Sequence, residues 1–118
     1  MDIETFREYC LSKKGSEESF PFDEETLVFK VMGKIFAILP LEYEVPRVNL
    51  KADPDQSIIW REHHPQIFPG WHMNKKHWNT VELETGLDDA FILELIDHSY
   101  EKVVEKLTRK LKEELENL

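Results

Sequence analysis

Between residues 61 and 81 the chain gathers most of the side chains that could recognise a nucleic acid. Arg61, Lys75 and Lys76 stand there against a single acid, Glu62. Trp71, His72, His77 and Trp78 surround the two lysines. Cations that follow phosphates, combined with rings that stack on bases, are the working parts of a single-strand binder. Lys30, Arg47 and Lys51 join this set if their strands present one open sheet face. The competing reading is a rigid loop whose tryptophans anchor it to the core and whose lysines only solvate it.

Two other chemistries are weaker. His63, His64, His72 and His77 are four of the five histidines and fall within fifteen residues. Imidazole suits zinc and similar metals. Their spacing, however, matches no ligand template, the chain has a single cysteine, and adjacent His63 and His64 point apart on a helix. No metal and no cofactor are expected. For catalysis, the acidic runs Glu17-Glu18, Asp23-Glu24-Glu25 and Glu113-Glu114 read as solvated surface. No phosphate-cradling glycine loop, nucleophile elbow or HExxH is present. His72 or His77 beside Asn74 or Asn79 is the one acid–base arrangement on offer. A non-enzymatic protein is expected.

The charge limits the partners. The chain has 118 residues, 24 acids against 15 bases, and a net charge of −9. Residues 1–60 carry 12 acids and 7 bases, and residues 61–118 carry 12 and 8, so neither half is basic. Such a chain is repelled by nucleic acid at long range, and any phosphate-binding surface must be a local patch. Length predicts one domain over 1–118 with one modest core. No apolar run approaches a membrane span, and Met1-Asp2-Ile3-Glu4 has no signal-like character. The cytoplasm is the expected compartment, and Cys10 is expected to be a packing residue.

The elements that must position these residues follow from local chemistry. Asp2 caps a helix from Ile3 to about Lys14, with Ile3, Phe6, Tyr9 and Cys10 on one side and Gly15 as its stop. Residues 16–25 read as a short edge strand and a polar turn. Leu27 to Leu39 reads as a hairpin turning at Met32-Gly33. That register sets Phe29 opposite Phe36 and Leu27 opposite Ile38, so these four and Val31 form one apolar face. Val28, Lys30, Ile35, Ala37 and Leu39 then form the other, too apolar to be left wholly to water. A strand over 45–51 points Val48 and Leu50 one way and Arg47, Asn49 and Lys51 the other. Asp53-Pro54-Asp55-Gln56 starts a helix that ends by His64, before Pro65. A strand over 77–83 and a turn at Thr85-Gly86 follow. Asp88 then caps one long helix with a stripe running Leu93, Ile96, Tyr100, Val103, Leu107, Leu111, Leu115, Leu118. Grouped strands with helices before and after indicate an α+β layer.

The segment Pro69-Gly70-Trp71-His72-Met73-Asn74-Lys75-Lys76-His77-Trp78-Asn79-Thr80-Val81 resembles the signature of the YjbR/MmcQ-like proteins. Gly33-Lys34-Ile35-Phe36-Ala37, Lys51-Ala52-Asp53-Pro54-Asp55 and Asp97-His98-Ser99-Tyr100 resemble further parts of that family. Trp71 stands where tyrosine is common there, and His64 where an aromatic is expected. The resemblance implies a YjbR/CyaY-like two-layer α+β sandwich, an antiparallel sheet flanked by N-terminal, middle and C-terminal helices. It also implies DNA binding through a "double wing" of strands. The rival to DNA is a protein partner or a second copy of the chain on the half-apolar open face, which resembles secretion-chaperone sheets in architecture. A DNA binder should group its cations away from acids, whereas a protein binder should show a contiguous apolar patch.

Overall fold

The computed structural model describes residues 1–70 and 73–118. Its elements are α1 (Ile3–Leu11), β1 (Ser16–Ser19), β2 (Thr26–Val31), β3 (Lys34–Pro40), β4 (Arg47–Lys51), α2 (Pro54–His63), β5 (Ile67–Pro69), β6 (Trp78–Glu82), α3 (Asp89–Glu105) and α4 (Arg109–Glu116). The strands form one antiparallel sheet in the order β1-β2-β3-β4-β6-β5. The helices lie on one face of it, giving the expected two-layer α+β arrangement. Among the described residues, no helix is long and apolar enough to cross a membrane.

Local signals act largely as the chain suggests. Asp2 caps α1 by accepting from the Thr5 amide at 2.7 Å, although the helix stops at Leu11 rather than Lys14. Asp53 caps α2 by accepting from Gln56 N at 3.1 Å, with Pro54 in its first turn. The hairpin turns at Met32 and Gly33 with φ of 49° and 81°, the paired positive values that a tight two-residue hairpin requires.

The hairpin register departs from the expectation. Val31 pairs with Lys34 and Lys30 with Ile35, but Phe29 then pairs with Ala37 and Leu27 with Leu39. Phe36 is therefore an extra residue, a β-bulge in β3. The bulge turns Ala37 and Leu39 toward the helices and Ile38 away from them, the reverse of a regular ladder. Phe36 stays on the core side, 6.4 Å from Phe29 and 5.4 Å from Tyr100 between ring centroids. With Phe6 against Phe29 at 6.1 Å, an aromatic chain runs from α1 through the sheet to α3.

Four consecutive residues of α3 tie the layers together. Asp97 accepts from Tyr9 OH at 2.7 Å and pairs with Lys13. His98 Nε2 accepts from the Asp53 amide at 3.0 Å. The fully buried Ser99 hydroxyl donates to the Phe36 carbonyl and accepts from Lys51 N at 2.8 Å. Tyr100 OH donates to the Lys14 carbonyl at 2.6 Å.

The C-terminal stripe is two helices, not one. α3 ends at Glu105, and Thr108 starts α4 by accepting from Leu111 N at 3.2 Å. Asp88 precedes α3 but makes no side-chain cap bond. The break turns Leu107 and Leu115 into the core, so α4 folds back instead of overhanging. Gly15, at φ +73°, receives it: a Cβ there would lie 2.7 Å from Leu115 Cδ1. Lys14 Nζ also donates to the Glu116 carbonyl at 2.9 Å.

Leu115→Ala should therefore lower unfolding free energy by about 2 kcal/mol in urea titration, the low end for a buried leucine. A frayed α4 would lose less than about 0.5 kcal/mol. His98 yields a second expectation. Burial, then the charge of Lys102, pulls its imidazole below the ordinary pKa of about 6.5. The folded state therefore holds fewer protons on His98 than the unfolded state does. Its contribution is full above the unfolded pKa and lost as pH falls from there through the folded value. His98→Gln should flatten that part of a Tm-against-pH curve; an unchanged slope would remove His98 as its source.

Candidate functional site

The face of the sheet opposite the helices carries a depression of about 710 Å³. β3 supplies Ile35, Ile38 and Pro40 to it, β4 supplies Arg47 and Asn49, β6 supplies Trp78 and Thr80, and β5 supplies Phe68. Phe22, Tyr43 and Met73 rise from the adjoining loops. The bulge at Phe36 is what puts Ile35 and Ile38 together on this side. The walls are mainly aromatic and aliphatic, with a narrow polar strip in which Thr80 Oγ1 donates to Asn49 Oδ1 at 2.7 Å. Arg47 lies over the Tyr43 ring at 4.4 Å. Its Nε is buried with no hydrogen-bond partner among the described residues. Glu82 is its neighbour across β6, but that carboxylate accepts from Thr85 Oγ1 at 2.9 Å and forms no ion pair with it within 4 Å.

A second cavity of about 520 Å³ adjoins the first where β3 outruns β4. Ile35 and Trp78 line both cavities. Lys34, Lys51 and Lys106 line the second, with Gly33 and Val103. No aspartate or glutamate is among the described residues lining either one.

The residues singled out from sequence separate into groups. Arg47, Lys51, Lys30 and Trp78 share the open face. Lys30 stands opposite Glu17 of β1, so an acid neighbours it. Arg61 lies on the helix side. Its Nε donates to Asn79 Oδ1 at 2.7 Å, and Nη2 donates to the carbonyls of Lys75 and of Trp78, the latter at 3.3 Å. Asn79 passes this on by donating to buried Ser57 at 3.1 Å. Burial lowers the Arg61 pKa. This guanidinium fixes α2 to the loop and β6. Lys75 Nζ donates to the Gly70 carbonyl at 2.9 Å. Lys76 is exposed, and its amide donates to Asn74 Oδ1 at 3.0 Å in a local turn. His77 is half-buried, and its carbonyl accepts from Ala52 N at 2.9 Å. Trp71 and His72 lie outside the described residues.

His63 and His64 sit in different surroundings. His64 stacks on Phe91 at 4.7 Å, taking the place of the aromatic ring expected there, and His63 is exposed. Among the described residues, no group of three or more His, Cys, Asp or Glu side chains could hold a metal. Cys10 is fully buried in the core, and burial pushes its thiol pKa up. Lys34 and Lys106 were missed by sequence reasoning. Lys34 follows a recognisable hairpin turn, but Lys106 reaches it only through the packing of α3.

Arg61→Ala should cost about 2 kcal/mol in chemical denaturation, because it strips partners from a buried amide and two carbonyls. Arg61→Lys should recover little, since an ammonium cannot span the forked geometry. Full stability in Arg61→Ala would refute the bracing role.

The chain matches the family model YjbR over residues 11–102. It is 38% identical to YbdF of Escherichia coli O157:H7 over 107 residues, covering 91% of this chain and 88% of that protein. Identity to YjbR of Escherichia coli strain K12 is 36%, covering 91% of each. Among solved structures, the Deinococcus radiodurans protein DR2400, a DUF419 domain, superposes with a TM-score of 0.89 at 39% identity, over 96% of this chain and 86% of that one. A Pseudomonas syringae protein superposes at 0.75 with 29% identity, over 86% and 98%. With family model, sequence relatives and solved structures in agreement, the chain belongs to the YjbR family.

Proposed function

We propose that the protein is a non-enzymatic, single-domain binder of single-stranded nucleic acid that acts through its open sheet face. One observation carries this reading: the described residues lining the two joined cavities provide aromatic walls, four cations and no acid. Arg47 lines the first; Lys34, Lys51 and Lys106 line the second. In a chain of net charge −9, such a surface favours a ligand that is both aromatic and anionic. Bases would lie against Trp78 and Phe68, with phosphates along the cations. Duplex DNA, whose bases are stacked away, would use the aromatic walls less. Among the described residues, the linings hold no carboxylate, imidazole or thiol, which supports binding rather than catalysis. Lys75 and Lys76 are the loop's phosphate contacts in this reading, while Arg61 is a brace.

A second reading is a protein segment, or a second copy of the chain, on the same face. The apolar share of the walls favours it, as does Phe22 at the rim, which is 65% exposed. Fluorescence polarisation with mixed single- and double-stranded DNA at ~50 and ~200 mM salt separates the two, since phosphate contacts make affinity fall steeply with salt. The expected result is single-strand binding tighter than ~100 µM at the lower salt, weakened at the higher. Trp78→Ala should then weaken it about tenfold, and Arg47→Ala or the Lys75→Ala/Lys76→Ala double variant should reduce the salt slope. Absence of binding at both salts would overturn the nucleic-acid reading and leave the protein partner.

A further inference from the structure

The second cavity is not simply more of the first. Three lysines, Lys34, Lys51 and Lys106, line its volume of about 520 Å³, against one arginine in the larger groove. Among the described residues, four cations of this acid-rich chain pair with carboxylates: Arg7 with Glu18, Lys13 with Asp97, Lys102 with Glu105 and Arg109 with Glu113. Among the described residues, Lys34, Lys51 and Lys106 have no carboxylate within 4 Å. The negative end of α3 accounts for a cation at Lys106, its C-cap. It does not account for Lys51, half-buried on the open face directly opposite Trp78. Like charges gathered within a Debye length repel one another unless an anion joins them.

We infer that this notch binds a terminal phosphomonoester whose aromatic or apolar body rests on Trp78 and Ile35. A monoester carries about −1.5 to −2 charge at neutral pH, where an internal phosphodiester carries about −1. Three lysines in one cavity suit the dianion, and charge-assisted hydrogen bonds would hold it. A free nucleotide and the end of a strand present the same chemistry. The strand-end case rests on the nucleic-acid reading above; the free-nucleotide case does not.

The test is isothermal titration of the full chain with AMP, adenosine, and oligothymidylates about ten nucleotides long. The oligothymidylates carry a 5′-phosphate, a 3′-phosphate or hydroxyls at both ends. One phosphorylated end should bind about tenfold tighter than the hydroxyl form, and AMP tighter than adenosine. The exposed pair Lys34→Ala/Lys106→Ala should shrink that preference and adding Lys51→Ala should erase it, with Lys112→Ala on α4 leaving it intact. Equal affinity for phosphorylated and hydroxyl ends, together with equal AMP and adenosine binding, overturns the inference but spares single-strand binding. So does a preference that survives the triple variant. AMP binding that depends on the lysines, with no oligonucleotide binding, supports the notch and sinks the strand reading. No binding of any of these ligands overturns both.

Discussion

The hydroxyl of Ser99 is the constraint on which the rest depends. It is fully buried and sits between a carbonyl of the bulged strand and the last amide of β4. A β-bulge leaves its extra residue outside the ladder, and a buried carbonyl left unpaired would be costly. Ser99 removes that cost by donating to Phe36. The same atom holds Lys51 N, so β3 and β4 keep a fixed offset where their ladder has ended. With Asp97, His98 and Tyr100 on the other sides of α3, a single helical turn sets the positions of α1, α2 and the sheet.

The open face is a product of this arrangement. Without the bulge, Ala37 and Leu39 would face outward and Ile38 inward. With it, Ile35 and Ile38 sit beside Trp78, and β3 extends past β4 far enough to leave a notch. Charge is divided accordingly. Arg7, on α1, and Lys13, just past its end, are paired with acids. Arg47 and Lys51, on the open face, are not. The protein is thus acidic as a whole and locally cationic where its surface is most aromatic.

Much of the fold was legible because its signals are local. Asp2 and Asp53 cap by reaching amides three residues on, and Met32-Gly33 turns through its own backbone. What escaped was set at a distance. The bulge depends on a serine 63 residues away, so the simple alternation of the hairpin gave the wrong faces to Ala37, Ile38 and Leu39. β5 has only three residues, Ile67 to Pro69, and pairs with β6 as its one described strand neighbour. Thr108 sits inside an unbroken leucine period, which concealed the cap that splits the last helix. The same holds for the site. Trp78, Arg47 and Lys51 follow from strand alternation. The inward turn of Arg61 follows from Asn79 and the Lys75 and Trp78 carbonyls, which stand 14 to 18 residues away from it in the chain.

The rimmed shape of the open face also bears on self-association. Phe22, Tyr43 and Met73 stand above the floor formed by Ile38 and Asn49. Two such faces brought rim to rim would enclose a void, and protein interfaces tolerate voids as poorly as protein interiors do. A second copy could fill the hollow only by inserting something convex, which its own hollow face does not offer. A second copy seated on this face must therefore bring a different part of its surface to the hollow.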